Sequence, residues 1–176
     1  ENTVFVLMSD NGYFFGEHGL SIERRMPYEE SIKCPLIISH PASVEKGLVI
    51  DDFALSIDIA PTILNVAGTR IPKRMQGKSL VPILQGNKSG WRKSFLVEYY
   101  ATENPFPWAH NLDYRVVRLG QYKYIRWSKE DDGHELYNMK NDPFEQNNLA
   151  LDPAFKDIKK KALNEMESLV VEVLGF

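Results

Sequence analysis

Four short stretches of this sequence carry side chains able to do chemistry. The first is Ser9-Asp10-Asn11-Gly12, directly after the apolar run Thr3-Val4-Phe5-Val6-Leu7-Met8. Asp10 offers a carboxylate and Asn11 an amide oxygen, hard donors that suit Ca²⁺ or Mg²⁺. Calcium takes about six to eight oxygens, so these two residues make only part of a site. Asp-Asn-Gly is also a favoured turn tripeptide, and an Asx turn would account for it without any metal. Gly16-Glu17-His18-Gly19-Leu20 is the second stretch and Arg24-Arg25 the third. A histidine and guanidinium groups beside an oxyanion could neutralise it or protonate a leaving oxygen. The plain alternative is a loop with solvated charges. The fourth is Pro105-Phe106-Pro107-Trp108-Ala109-His110, a long aromatic loop. Its His110 either lines a substrate pocket or belongs to a loop anchored by its aromatic side chains.

These side chains need elements to hold them. The continuous apolar run at 3–8 reads as a strand buried on both faces, the kind found inside a parallel sheet. Pro27-Tyr28-Glu29-Glu30-Ser31 predicts a short helical turn, and Pro35-Leu36-Ile37-Ile38-Ser39 a second buried strand. Asp52-Phe53-Ala54-Leu55-Ser56 reads as a third strand. Asp58 stands where it could cap the helix that follows, with Gly68 as its stop, and a further short helix ends near Gln85-Gly86.

The texture changes near residue 90. Lys93–Tyr100, Tyr114–Arg118 and Tyr122–Trp127 read as antiparallel strands with one solvated face, and Glu135-Leu136-Tyr137 as a fourth. Asp152-Pro153 opens an amphipathic helix with apolar positions at Phe155, Ile158, Ala162, Met166, Leu169, Val170 and Val173, closed by Gly175. The chain divides into residues 1–90, the tail of an α/β domain, and 91–176, a small antiparallel sheet covered by one helix. A buried parallel strand needs neighbours reached by crossovers. Most of those neighbours are missing here, so the chain reads as a portion of something longer.

Bulk properties narrow the function. The 176 residues are 43% hydrophobic, enough for a real core. With 21 Lys+Arg against 24 Asp+Glu the net charge is −3, without the basic excess expected of a nucleic-acid or membrane binder. The single Cys34 excludes an internal disulfide or a cysteine-rich zinc site. No apolar run reaches the roughly 18–20 residues of a membrane span, and no signal peptide is visible.

Taken together, the motifs resemble the sulfatase family. Ser9-Asp10-Asn11-Gly12, Gly16-Glu17-His18-Gly19-Leu20 and Tyr28-Glu29-Glu30-Ser31 with Pro35-Leu36-Ile37 stand in that family's order and approximate spacing. Asp58-Ile59-Ala60-Pro61-Thr62 resembles its Asp-x-x-Pro-Thr helix, and Gln76-Gly77-Lys78-Ser79-Leu80 its Gly-x-Ser-Leu segment. Arg118 and Tyr122-Lys123-Tyr124-Ile125 fit its C-terminal hairpin. Glu135-Leu136-Tyr137 and Asp142-Pro143-x-Glu145-x-x-Asn148-Leu149 fit its closing motifs.

The resemblance implies an α/β fold, the C-terminal part of the alkaline-phosphatase-like sulfatase fold, ending in a small antiparallel sheet packed by a C-terminal helix. It implies hydrolysis of sulfate esters, here of a sulfated small molecule or glycan, by a formylglycine made from a Cys/Ser-x-Pro-x-Arg motif. Ca²⁺, or Mg²⁺, would be held partly by Asp10 and Asn11. Arg24 takes the place of a sulfate-contacting lysine, with Arg25 as its neighbour and substitute. His18 would contact the sulfate or the leaving group, and His110 the substrate. Arginine keeps the charge and gains a bidentate fork, but gives up easy proton donation. Cys34-Pro35 lacks the residue between Cys and Pro, and Ser39-His40-Pro41-Ala42-Ser43 has serine where arginine is needed. The nucleophile is therefore expected in a missing N-terminal half, which also completes the metal site and is the expected partner. By analogy with bacterial members the location is periplasmic or secreted. Two alternatives remain at this point: a phosphodiesterase or phosphonate hydrolase of the same superfamily, and a non-catalytic module needing a partner chain.

Overall fold

The computed structural model describes residues 3–20, 25–40, 44–101, 112–128 and 133–174. From the N-terminus the elements are β1 (Phe5–Met8), α1 (Glu29–Ile32), β2 (Leu36–Ser39), α2 (Ile59–Val66), α3 (Val81–Leu84), β3 (Ser94–Tyr99), β4 (Tyr114–Leu119), β5 (Tyr122–Trp127), β6 (His134–Asn138) and α4 (Lys156–Leu174). They fall into two compact units, Glu1–Asp10 with Cys34–Arg92, and Asn11–Lys33 with Lys93–Phe176.

In the first unit β1 and β2 pair antiparallel, Phe5 opposite Ser39 and Met8 opposite Leu36. The parallel neighbours expected of the apolar run are not among the described residues. Apolar content reports burial on two faces but not the direction of the neighbour, which depends on how the intervening chain returns. In this 176-residue chain Phe5, Leu7 and Ile37 are exposed. Residues 53–55 are not a strand as expected. The amide of Leu55 is used locally, donating to Asp58 Oδ2 at 2.8 Å, and a 3₁₀ turn Ser56–Asp58 follows.

Asp58 organises this unit in a way that differs from simple capping. Its fully buried carboxylate makes no cap bond to α2. It accepts instead from Leu55 N, from Lys78 N at 2.8 Å, and from both terminal nitrogens of Arg92, Nη2 at 2.7 Å. Thr62 Oγ1 donates to Asp58 O at 2.6 Å and accepts from Leu80 N at 2.8 Å. Ser79 Oγ adds a bond to Asn65 Oδ1. The approach of the two segments needs Gly77, where a Cβ would lie 1.9 Å from Ile57 O. The Asp-x-x-Pro-Thr helix and the Gly-x-Ser-Leu segment are thus two halves of one hydrogen-bonded joint. As expected, α2 stops at Gly68 (φ 66°), with Thr69 N bonded to Leu64 O at 2.8 Å.

The second unit is built on an antiparallel sheet of order β3-β4-β5-β6. The four strands and the closing helix stand where the sequence placed them. Consecutive apolar pairs, Val116-Val117, Tyr124-Ile125 and Leu136-Tyr137, send one side chain to each face. Val117, Tyr124 and Leu136 meet Ala162 and Met166 of α4, with Phe155, Ile158 and Leu169 packed around them. Val173 lies beyond this stripe, exposed, and Gly175 falls outside the described residues. The helix is preceded by a 3₁₀ turn in which Asp152 Oδ1 accepts from Ala154 N at 2.9 Å. The opposite face, expected to be solvated, is covered too. Tyr114, Val116, Ile125 and Tyr137 form a second buried cluster there, with Tyr28 packed against it.

Removing the Asp58 carboxylate would leave the Arg92 guanidinium, only 10% exposed, without its counter-charge. Asp58→Ala is expected to destabilise the chain by about 3–5 kcal/mol, because breaking a buried pair strands the other charge. Denaturant unfolding monitored at Trp91, which donates to Phe53 O in the same unit, would read that loss directly.

Candidate functional site

The segment after β1 alternates outward and inward side chains. Asp10 and Asn11 are exposed, and each engages in interactions of its own. Gly12 N donates to Ser31 O at 2.8 Å, and a Cβ on Gly12 would stand 1.9 Å from Glu30 O. No side chain fits there, so the backbone of the loop lies directly against the last residues of α1. Tyr13 and Phe15 then point to solvent while Phe14 is fully buried. Phe15 N donates to Glu17 Oε2 at 2.5 Å, and this bond holds the Glu17 carboxyl below its usual range.

His18 occupies a strained position, with φ of 54° between Gly16 at 119° and Gly19 at 70°. Non-glycine residues seldom adopt that region, and such strain persists where surroundings over-determine it. Here the imidazole stacks on the Tyr28 ring at 4.1 Å with only 10° between the planes. Phe14 packs edge-on against both rings. Nε2 lies 3.5 Å from Glu30 Oε2, so a carboxylate faces the ring nitrogen. The result is an imidazole set in orientation by an aromatic stack and a carboxylate.

Tyr28 is itself anchored. Its hydroxyl donates to Glu135 Oε2 at 3.2 Å, and the same carboxylate accepts from Tyr137 at 2.6 Å and Trp127 Nε1 at 2.7 Å. One residue on, Glu29 N donates to Glu145 Oε2 at 2.7 Å. Glu145 Oε1 lies 2.7 Å from Lys123 Nζ, and neither side chain touches solvent. Glu29 Oε1 receives Arg118 Nη1 at 3.1 Å and Lys123 Nζ at 3.4 Å. Two carboxylates and two cations therefore balance. Burial pushes the Glu145 carboxyl upward, while Lys123 and the Glu29 amide pull against it.

Of the residues singled out in the sequence, Asp10, Asn11, His18 and Arg25 are described, and Arg25 is half-buried with partners of its own. Arg24 and His110 lie outside the described residues. Sequence reasoning gave no role to Glu30, Glu135, Glu145 or Lys123, although all four fall inside the motifs quoted above. The available signal was a charged residue at an inward position of a strand, as with Lys123 between Tyr122 and Tyr124. Among the described residues no group of three or more His, Cys, Asp or Glu side chains is placed to hold a metal ion. His134 serves the sheet, its Nδ1 2.8 Å from the Tyr124 hydroxyl.

Comparison with known proteins gives a consistent result. Residues 16–172 match the family model described as N-sulphoglucosamine sulphohydrolase, C-terminal. The chain is 36% identical over 153 residues to an N-acetylglucosamine-6-O-sulfatase of Bacteroides thetaiotaomicron, covering 85% of this chain and 26% of that protein. Among solved structures, one in complex with its substrate D-glucosamine-2-N,6-O-disulfate is 33% identical with a TM-score of 0.85, covering 94% of this chain and 33% of that one. A phosphonate monoester hydrolase from Silicibacter pomeroyi is 26% identical with a TM-score of 0.81, covering 94% of this chain and 34% of that one. The chain thus spans about a quarter to a third of the length of these relatives.

The shared carboxylate predicts alkaline behaviour. Burial first, and then Glu135, raise the phenols of both Tyr28 and Tyr137 above their ordinary value. A folded pKa above the unfolded one gives stability that is complete below about pH 10 and lost as pH rises past it, because the unfolded phenols release their protons first. Ultraviolet titration is expected to show these two tyrosines ionising only with unfolding. In Glu135→Gln, if folded, Tyr28 should ionise at lower pH.

Proposed function

Because this chain belongs to the sulfatase family and has its alkaline-phosphatase-like α/β fold, we propose that it is the C-terminal portion of an enzyme hydrolysing sulfate esters of a sulfated sugar. The observation that carries this reading is the family match over residues 16–172, which includes the segment that orients His18. The sugar is inferred from the glucosamine derivatives named for two of its relatives.

Within that reading Asp10 and Asn11 are ligands of a divalent cation, Ca²⁺ first and Mg²⁺ as the alternative. Both are exposed oxygen donors of the hard type, and the remaining ligands of the roughly six to eight required come from outside this chain. When bound, the cation supplies positive charge to the sulfate oxygens. Arg24 and Arg25 add guanidinium forks to the same oxygens. His18 presents its stacked imidazole to the sulfate or to the leaving oxygen, and His110 contacts the sugar. The sequence holds no Cys/Ser-x-Pro-x-Arg motif. The formylglycine nucleophile therefore belongs to an N-terminal half, and the exposed apolar residues Phe5, Leu7 and Ile37 are a face for it to cover. No helix among the described residues is long and apolar enough to cross a membrane. A periplasmic or secreted location is proposed from the bacterial relative.

The likeness to a phosphonate monoester hydrolase supports a second reading, in which a phosphorus ester is the substrate. An assay separates the two. The 176-residue chain with Ca²⁺ is expected to show no turnover of a generic aryl sulfate. Combined with an N-terminal half that carries the nucleophile motif, it should hydrolyse aryl sulfate faster than aryl phosphonate. Asp10→Ala should reduce that rate at least about a hundredfold, the scale of losing one electrostatic contact to a developing oxyanion. Turnover by the chain alone, abolished by Asp10→Ala, would place a nucleophile among these residues and overturn the mechanism.

A further inference from the structure

Three motifs singled out in the sequence are not accounted for by the chemistry above: Tyr28-Glu29-Glu30-Ser31, Tyr122-Lys123-Tyr124 and Asp142-Pro143-x-Glu145. The structure brings them to one point. We propose that Glu145 is a positioning residue for His18, acting through the start of α1 and the ring of Tyr28.

The path is short and each step is a contact. Asp142 folds its turn by accepting from Gln146 N at 3.0 Å and Asn147 N at 2.9 Å. That turn holds Glu145 at φ 52°. Glu145 and His18 are the only non-glycine residues with positive φ among the described ones. In that conformation the Glu145 carboxylate reaches both Lys123 Nζ and Glu29 N at 2.7 Å. The Glu29 amide is the first of α1, one peptide from Tyr28, so its bond sets where the Tyr28 backbone enters the helix. The Tyr28 hydroxyl is held by Glu135 at the far end of the ring, and Phe14 and Tyr137 pack edge-on with that ring and limit its rotation. His18 stacks on that plane at 4.1 Å.

Charge explains why an acid is needed at 145. Lys123 is fully buried on β5, and Glu29, its other carboxylate, already receives Arg118. Without Glu145 a buried ammonium would compete with Arg118 for Glu29 and pull that side chain and α1 toward the sheet. A neutral residue at 145 would also leave the Glu29 amide with no acceptor unless it carried an oxygen.

The test uses the 176-residue chain and the NMR signals of the His18 ring. Stacking on Tyr28 should displace these signals upfield, and Tyr28→Leu identifies that displacement. In Glu145→Ala, or in Glu145→Gln if the first does not fold, the displacement is expected to be lost while the Val116 and Val117 methyl signals of the sheet persist. The double variant Lys123→Met with Glu145→Gln removes both charges, keeps an oxygen for Glu29 N, and should restore the displacement. Glu98→Ala, which breaks an ion pair with Arg115 elsewhere on the sheet, should leave His18 unchanged. An unmoved His18 in a folded Glu145 variant would overturn the proposal. Its functional meaning rests on the reading of His18 as a sulfate contact, and inorganic sulfate tests that separately. His18 signals that ignore sulfate would defeat that reading and leave the positioning result standing.

Discussion

Lys123 and Glu145 meet at 2.7 Å with neither side chain in contact with water, and the second unit is arranged around that fact. Desolvating two charges is costly, and their attraction offsets the cost only where geometry is good and the remaining hydrogen-bonding positions are filled. Every neighbour contributes to that condition. The second carboxylate oxygen of Glu145 takes the Glu29 amide, Glu29 takes Arg118 and Lys123, and Asp142 shapes the turn that delivers Glu145. A turn near the end of the chain, a strand in the middle of the sheet and a short helix near residue 30 are thereby bound to one another.

The first unit solves a similar problem with Asp58. A buried carboxylate again joins segments far apart in sequence, here the turn before α2, the Gly77 segment and Arg92. In both units the acid stands beside a main-chain amide as well as a cation. The amide supplies direction and the cation supplies charge, so the joint is specific in geometry without leaving a net buried charge. Closing motifs that look like generic turn sequences, Asp-Pro-x-Glu and Asn-Leu, do similar work. Asn148 Oδ1 accepts from Leu136 N at 3.0 Å and Ala150 N at 2.9 Å, pairing one amide on the edge of β6, which has no further strand beside it among the described residues.

The proposed chemistry takes advantage of this rigidity. His18 holds an uncommon backbone conformation, and a strained residue needs a firm seat if its imidazole is to keep one orientation. The seat is the Tyr28 ring, fixed at its hydroxyl by Glu135 and at its backbone by the bond to Glu145. Residues buried from solvent, Glu145 among them, thereby bear on the orientation of one proposed to meet the substrate.

The sequence by itself determined the local and additive features. Alternating pairs such as Val116-Val117 and Tyr124-Ile125 and the stripe on α4 are set by strand and helix periods, which act over a few residues. The collinear motifs determined the family, because order and spacing survive in one dimension. The sense of the β1–β2 pairing was decided by tertiary structure, since a strand's apolar content carries no direction. The coil at 53–55 was decided there too, because Asp58 takes the Leu55 amide. So was the covering of the sheet's second face by Tyr28, as were the partners of Lys123, Glu135 and Glu145. A buried charge is recognisable in sequence only as an anomaly. Its partner is chosen by the three-dimensional approach of separate segments, 22 residues apart for Lys123 and Glu145 and 116 for Glu29 and Glu145, which no local pattern encodes.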